Sequence, residues 1–380
     1  MTDFPFDRLR RWPDVEAPNL LASDATDRLL LGTAAEALAA SAPGDVVVIG
    51  DRYGALTLAA ATAGATGIRV HQDELSGERA LAANADSFGL TDAFTSVPLE
   101  ASALRGARTV LLQLPRSLDA LAEISEVLAL TASPDVVIFA GGRVKHMTHA
   151  MNDVFGRSFE TVAASLAQQK SRVLVASGPR HATGDPAWPA REFHDDLGLW
   201  VCAHGAAFAG TKIDIGTRFL LGFLDSLPAA REAIDLGCGT GVLATAVARA
   251  HPDILVTATD QSAAAVASAR QTALANGVAD RVSVVRDDAL SAWADASAEL
   301  ILLNPPFHVG ATVHAGIAEK LFQDAARVLK PGGELWTVWN SHLGYRQTLE
   351  RLLGPTRQLG RNSKFTVTVS VRRRAEDARG

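Results

Sequence analysis

The sequence has little cysteine, no long unbroken apolar run and no overall excess of positive charge. Two of its 380 residues are cysteines, too few for a disulfide framework or a zinc cluster, which indicates a reducing compartment. The longest apolar-looking run, VVVIGDRYGALTLAAATAG, is broken by Asp51 and Arg52, so no membrane span is predicted. The N-terminus, MTDFPFDRLRRWPD, lacks the apolar core of a signal peptide. We therefore expect a soluble, cytoplasmic protein.

Charge is distributed unevenly along the chain. The formal net charge of −6 does not by itself favour a nucleic-acid partner. Residues 341–380, however, contain nine Lys or Arg against three Asp or Glu, and Arg8, Arg10 and Arg11 form a second basic cluster. Phosphates are attracted by local patches rather than by net charge. The pattern fits RNA binding, and it also fits an ordinary solvated surface with a basic tail.

Two segments repeat one pattern: an apolar strand, a glycine turn, an Ala/Leu-rich helix, a second strand and an acidic residue before a second helix. Residues 46–84 align with residues 233–271 at an offset of 187, and VLLQLPR later aligns with ILLNPPF at an offset of 191. Alternating strands and helices predict a parallel sheet covered on both faces. We expect two doubly wound α/β domains that arose by duplication, residues 1–190 and 191–380. The Pro-, Gly- and His-rich region 177–205 is interpreted as the linker, without helical or strand period.

The segment IDLGCGTG, residues 234–241, follows a predicted strand and opens a predicted helix. Its glycines let the backbone turn tightly and approach a ligand, and the free N–H groups of the helix can bind it. A nicotinamide or other nucleotide domain with a similar loop is the alternative. The order of acidic residues around the loop resembles class I S-adenosylmethionine-dependent methyltransferases. That resemblance implies a seven-stranded mixed sheet and cofactor contacts from Asp235, Gly237, Gly239, Gly241, Asp260, Asp287 and Asp288.

The first copy of the repeat has lost part of this pattern. Val48 stands in the position of Asp235, and Arg52 stands in the position of Gly239, while Asp73 survives. An arginine side chain there should fill the space that the cofactor needs. We therefore expect the first domain to be a degenerate methyltransferase domain that serves in substrate binding or support.

The stretch ILLNPPFHVG ends a strand with two prolines, which cannot donate to a sheet. The turn holds Asn304 and Phe307 in place. The exocyclic amine of a nucleobase is a poor nucleophile, and the amide oxygen of Asn304 and the carbonyl of Pro305 are suitable acceptors for its hydrogens. Phe307 offers a flat face on which a base can stack. The alternative is a turn that merely ends the strand.

Five segments follow one another along the second half of the chain, namely FAGTKIDIGTRFLL, NPPFHVG, LKPGGELWTVWN, Tyr345-Arg346 and SKFTVTVS. This ordered set resembles the bacterial ribosomal RNA guanine-N2 methyltransferases, in particular the C type of the small and the G type of the large ribosomal particle. This resemblance implies an S-adenosylmethionine cofactor and a guanine of ribosomal RNA, or of a ribosomal subunit, as substrate. It also implies catalytic and substrate-contacting positions, namely Asn304 (also a cofactor contact), Pro305, Phe307, Phe208, Asp214 and His308.

Several alternatives stay open at this point. The acceptor could instead be an adenine N6, a protein glutamine N5 or a small molecule, and the chain could be a non-catalytic RNA-binding assembly factor. His308 is either a general base or, more commonly at such a turn, a stacking or structural residue. The other histidines show no ligand spacing, so no metal is expected. Two domains suffice to hold RNA, so a monomer is expected. The chain departs from the family at Leu343-Gly344-Tyr345, where Leu-Pro-Tyr is frequent, and the first domain is poor in lysine.

Overall fold

Each half of the chain contains one seven-stranded sheet flanked by helices. The computed structural model describes residues 4–14, 16–17, 19–180, 186–306 and 311–374, except the side chains of 311–315. The chain divides into two units, residues 1–188 and 189–380.

The strands of the first unit form a sheet in the order β3-β2-β1-β4-β5-β7-β6, with parallel pairing up to β5 and antiparallel pairing of β7 with β5 and β6. Their bounds are β1 (Val46–Ile49), β2 (Ile68–His71), β3 (Phe94–Ser96), β4 (Thr109–Gln113), β5 (Val137–Arg143), β6 (Phe159–Ala164) and β7 (Ser171–Pro179). The helices are α1 (Ala25–Thr33), α2 (Ala35–Ala39), α3 (Ala55–Thr62), α4 (Leu75–Phe88), α5 (Ala101–Leu104), α6 (Leu118–Thr131) and α7 (His149–Ser158).

The second unit begins with a hairpin and repeats the same sheet order, β12-β11-β10-β13-β14-β16-β15. Its strands are β8 (Ala190–His194), β9 (Leu199–Ala203), β10 (Glu232–Leu236), β11 (Leu255–Asp260), β12 (Val282–Arg286), β13 (Ala298–Leu303), β14 (Leu329–Asn340), β15 (Thr356–Arg361) and β16 (Phe365–Val371). The helices are α8 (Ile215–Leu221), α9 (Val242–Ala250), α10 (Ala263–Ala275), α11 (Ala311–Val328) and α12 (Arg346–Leu352). The predicted fold class, two doubly wound domains with mixed seven-stranded sheets, is confirmed.

The central strands are apolar on both sides because helices cover both faces of each sheet. In β13, Leu300 and Leu302 belong to one core cluster and Ile301 and Leu303 to the other. Such continuous apolar runs are typical of buried parallel strands. The parallel strands β10, β11 and β13 therefore end at one edge of the sheet, and the loops that follow them meet there.

The interpretation of residues 177–205 as a linker without regular structure is wrong in part. Strand β7 continues to Pro179, and β8 and β9 form an antiparallel hairpin. The hairpin is held against α10, where Thr272 Oγ1 accepts from the backbone N–H of Cys202 at 3.0 Å. Strand β8, AREFH, escapes a periodicity argument because its side chains are exposed or half-buried and have no single apolar face.

Candidate active site

The glycine loop lies between β10 and α9, with all three glycines in the left-handed region. Their φ angles are +70° at Gly237, +53° at Gly239 and +74° at Gly241. A Cβ at Gly241 would lie 2.8 Å from the Cβ of Ala269, so this glycine lets α9 and α10 approach closely. At Gly237 and Gly239 a Cβ would meet no atom within 4 Å. The loop therefore presents open space at these two positions, where a ligand can come close to the backbone.

Asp235 supports the loop from the end of β10. Its side chain is buried, and its Oδ2 accepts from the backbone N–H of Ala244, in the first turn of α9, at 2.9 Å. Burial raises the pKa of Asp235 to about 7, against the lowering effect of the Ala244 N–H, and the charge of Asp260 raises it further. Asp235 thus fixes the start of the helix that the loop enters.

Asp260 ends β11 beside the same loop. Its Oδ2 accepts from the N–H of Gly239 and its Oδ1 accepts from the N–H of Ser262, both at 3.0 Å. Two backbone donors hold the carboxylate in one orientation. The pair of loop and carboxylate predicted from the sequence is therefore one local structure.

The two acidic residues after β12 have local partners. Asp287 is buried and accepts from Ser291 Oγ at 2.5 Å and from the N–H of Ala292 at 3.0 Å. Both oxygens of Asp288 lie 2.6 Å from Nζ of Lys320, on α11. These contacts order the loop after β12, and a role of either residue toward a cofactor stays a prediction.

Asn304 follows the last residue of β13, with its side chain half-buried. Its Nδ2 donates to Asp214 Oδ2 at 2.9 Å and to Thr217 Oγ1 at 3.0 Å. A carboxylate can only accept, so the amide nitrogen must face Asp214. The Oδ1 atom is buried and has no hydrogen-bond partner among the described residues. An oriented acceptor without a partner is what an amine donor requires.

Asp214 caps the N-terminus of α8 and ties this helix to Asn304. Its Oδ2 accepts from the N–H groups of Gly216 and Thr217 at 2.8 and 3.2 Å. A Cβ at Gly216 would lie 3.1 Å from Asn304 Oδ1 and 3.3 Å from Cε1 of Phe365. A side chain at Gly216 would therefore crowd the amide oxygen and the carboxylate of Asp214, which a Cβ would approach to 2.9 Å.

The structure brings some predicted residues together and leaves others apart or undescribed. Asn304 contacts Asp214, and Pro305 is buried directly after it. Phe208 lies in the loop between β9 and α8, 58% exposed, and its role stays a prediction. Phe307 and His308 lie outside the described residues. Sequence reasoning did not find Thr217, which bonds Asn304, or Phe365, which lies next to Gly216, because only the fold brings them to this site.

The first unit has a different arrangement at the equivalent loop. Asp51, fully buried, accepts from the N–H of Thr57 at 2.7 Å and from the N–H of Gly54 at 3.1 Å. At the offset of the repeat Thr57 is the counterpart of Ala244, so a carboxylate within the loop performs the task of Asp235. Arg52 reaches toward Glu74, with 3.5 Å between Nη2 and Oε2. That the Arg52 side chain excludes a cofactor from this loop stays a prediction.

Within the described ranges, no group of three or more His, Cys, Asp or Glu side chains is placed to hold a metal ion. None of the helices in the same ranges is both long and apolar enough to cross a membrane.

Comparisons with known proteins agree with this geometry. The family descriptions "RLMG N-terminal domain" and "Methyltransferase small domain" match residues 2–180 and 198–369. The ribosomal RNA large subunit methyltransferase G of Streptomyces coelicolor is 37% identical over 372 residues, covering 96% of this chain and 97% of the relative. The protein of the same name from Shewanella amazonensis is 35% identical over 377 residues, covering 96% of each chain.

A solved structure shares the fold over most of its length. The T. thermophilus 16S rRNA N2 methyltransferase RsmC, in complex with AdoMet and guanosine, matches with a TM-score of 0.72 at 20% identity and 92% coverage of both chains. The duplicated sheet, the glycine loop and the Asn-Pro-Pro turn define a methyltransferase of the class I fold. The chain belongs to the ribosomal RNA large subunit methyltransferase G family.

Proposed function

We propose that this protein transfers a methyl group from S-adenosylmethionine to the exocyclic N2 amine of a guanine in ribosomal RNA of the large subunit. The observation that carries the proposal is the side-chain amide of Asn304. Asp214 and Thr217 hold its nitrogen, and its oxygen has no partner among the described residues. The relatives named as methyltransferases of large-subunit ribosomal RNA, 35–37% identical over nearly the whole chain, support the substrate.

The residues of the second unit fit the cofactor. The open positions at Gly237 and Gly239 admit a ligand against the backbone, and the carboxylate of Asp260, fixed by two N–H groups, can accept the hydroxyls of a ribose. When bound, S-adenosylmethionine supplies a methyl sulfonium, which is already a strong electrophile. The protein therefore has to position the acceptor amine rather than generate a strong base.

Asn304 acts on the nucleophile. The lone pair of the guanine N2 amine is delocalised into the ring, which makes the amine unreactive. Accepting its hydrogens at Asn304 Oδ1 and at the carbonyl of Pro305 favours a pyramidal nitrogen with a localised lone pair. With S-adenosylmethionine held at Gly237, Gly239 and Asp260, the amine held by Asn304 and Pro305 would form the new N–C bond as the S–C bond breaks and its electron pair passes to sulfur. The amine proton then leaves to water, which requires no dedicated base.

The remaining predicted residues extend this account. Phe307 and His308 directly follow the Asn-Pro-Pro turn, and we assign them to contact with the base, together with Phe208 and Asp214. The buried carboxylate of Asp51 and the side chain of Arg52 in the first unit support a loop that does not take cofactor. We assign substrate binding or support to the first domain, residues 1–190. Catalysis is assigned to the second domain, residues 191–380. The protein acts as a monomer in the cytoplasm.

Mass analysis of nucleosides tests the proposal. Large-subunit ribosomal RNA incubated with the protein and S-adenosylmethionine should gain N2-methylguanosine. N6-methyladenine in nucleic acid, or methylated glutamine in protein, would instead assign the site to another acceptor. No methylated product from RNA, ribosomal particles or protein would contradict the enzyme assignment.

A further inference from the structure

The turn between β15 and β16 lies at the same edge of the sheet as Asn304. Strand β14 is parallel to β13, and its last residue, Asn340, pairs with Phe365, the first residue of the antiparallel strand β16. Strand β15 therefore ends, and β16 begins, at the carboxyl edge. The side chain of Phe365 confirms the proximity, because both its Cε1 and Asn304 Oδ1 would lie within 3.3 Å of a Cβ at Gly216.

This turn has a fixed conformation. The Oδ1 atom of Asn362 accepts from the N–H groups of Lys364 and Phe365 at 2.8 and 2.7 Å. The backbone N–H of Asn362 donates to the carbonyl of Phe365 at 2.9 Å, and that of Ser341 donates to the carbonyl of Lys364 at 2.8 Å. An asparagine that closes a turn in this way holds the backbone in one shape. The backbone positions that carry the flanking cationic side chains are therefore fixed before a ligand binds.

Three exposed cationic residues lie on segments that reach this edge. Arg361 ends β15, Lys364 lies in the turn, and Lys212 lies two residues before Asp214, which contacts Asn304. Their side chains make no hydrogen bond or ion pair with any described residue. Several other arginines of this part of the chain are engaged, namely Arg346 with Glu350, Arg351 with Glu319, and Arg372 and Arg373 with backbone carbonyls.

We propose that Lys212, Arg361 and Lys364 bind the phosphates of the RNA strand on either side of the target guanine. This inference rests on the proposed function, since it takes the base at Asn304 to be part of an RNA chain. No acidic partner among the described residues has to be displaced, and arginine and lysine both suit phosphate oxygens. Phosphate contacts set the position of the strand and do not read its sequence. In a chain with net charge −6, such a local group of cations matters more than the total charge.

The test measures RNA binding and turnover for the wild type and for the triple variant Lys212→Gln/Arg361→Gln/Lys364→Gln. The probe is a large-subunit ribosomal RNA transcript, with affinity measured at several salt concentrations. Each phosphate contact to a single strand contributes about 0.7 to the slope of log Kd against log salt concentration, so three contacts contribute about 2. We expect Kd for RNA to rise on the order of 10- to 100-fold near 0.1 M salt and the difference to shrink toward 1 M salt. Turnover at saturating RNA and the affinity for S-adenosylmethionine should stay at the wild-type values.

Arg357→Gln is the matched control. Arg357 is exposed, has no partner among the described residues and lies on the same strand, but near its other end, next to Thr356. Four residues along a strand correspond to roughly 13 Å, so Arg357 lies away from the edge that carries Asn304. Arg357→Gln should change the salt slope by less than half as much as the single variant Arg361→Gln, which is measured beside it.

The outcomes separate the two hypotheses. An unchanged Kd and salt slope in the triple variant, with wild-type methylation of guanine N2, would overturn the phosphate contacts and leave the proposed function intact. If Arg357→Gln changed the salt slope as much as Arg361→Gln does, the phosphate contacts would also be overturned, because such a result would indicate a diffuse charge effect. If the wild type binds the RNA without producing N2-methylguanosine, the proposed function fails, while the difference in salt slope still decides whether these cations bind phosphate.

Discussion

The side-chain amide of Asn304 donates through Nδ2 to Oδ2 of Asp214 at 2.9 Å, although 90 residues separate the two in the chain. This bond decides which end of the amide faces the helix α8 and which end is left for a ligand. Since Asp214 Oδ2 also caps α8, the orientation of the amide depends on the position of a whole helix.

Thr217 should act as a positioning residue for this amide. Thr217→Val removes the hydroxyl that accepts from Asn304 Nδ2 at 3.0 Å and keeps the shape of the side chain. One hydrogen bond contributes about 0.5–1.5 kcal/mol, so kcat should fall about 3- to 10-fold while KM for RNA stays the same. Thr217→Ser keeps the hydroxyl and should retain most of the activity. A rise in KM without a change in kcat would contradict this role.

Only the second unit should bind the cofactor. Gly239→Arg places an arginine where the first unit has Arg52 and should abolish binding of S-adenosylmethionine in a calorimetric titration, whereas the wild type should bind one equivalent. The matched variant Arg52→Gly should still bind one equivalent, because Asp51 already occupies the N-terminus of α3. Two equivalents in either the wild type or Arg52→Gly would show that the first loop is competent.

The glycines of the loop should differ in their effect on stability. At Gly241 an alanine Cβ would lie 2.8 Å from Ala269 Cβ, whereas at Gly239 it meets no atom within 4 Å. Both positions have positive φ, so the backbone strain is shared and overpacking, about 1–3 kcal/mol, distinguishes them. The melting temperature of the Gly241→Ala variant should therefore be several degrees below that of the Gly239→Ala variant. Equal melting temperatures would mean that α9 and α10 can separate freely.

Asp27 should make stability depend on pH in the direction opposite to that of an ordinary surface carboxylate. Burial raises its pKa to about 7, with the N–H of Asp24 opposing this shift. Between about pH 4 and pH 7 the folded state then holds a proton that the unfolded state releases, so stability falls as pH rises, by about 1.4 kcal/mol per unit. Asp27→Asn should remove the contribution of this residue to the slope of stability against pH between pH 5 and 7, and leave the contribution of Asp235. The same slope in wild type and variant would place the ionisation elsewhere; Asp235, also with a pKa near 7, is the first candidate.

Much of the fold follows from local signals in the sequence. The repeat offset of 187 predicted both glycine turns, and the apolar run from Ile301 to Leu303 before Asn304 and two prolines predicted the end of a central strand. These features depend on residues next to each other in the chain, where periodicity and turn chemistry apply. The hairpin β8–β9 was missed because its stability comes from bonds to α10, not from its own pattern.

The site was predictable only in part, for the same reason. Asp235, the glycines and Asp260 belong to one βαβ unit and are recognisable as a motif. Thr217 and Phe365 lie far along the chain from Asn304, and no local signal links them to it. In the first copy Val48 indicated a lost carboxylate, but Asp51, three residues later, bonds the equivalent helix nitrogen, that of Thr57.

The most direct test of the account is the single-turnover rate of methyl transfer by Asn304→Ala, with enzyme and S-adenosylmethionine in excess over large-subunit ribosomal RNA. Removing a preorganised polar group that acts on the reacting atoms typically costs 10²- to 10³-fold in rate, and we expect a loss on this order for the formation of N2-methylguanosine, with RNA binding unchanged. A rate equal to that of the wild type would contradict the central claim that the amide oxygen of Asn304 activates the guanine amine.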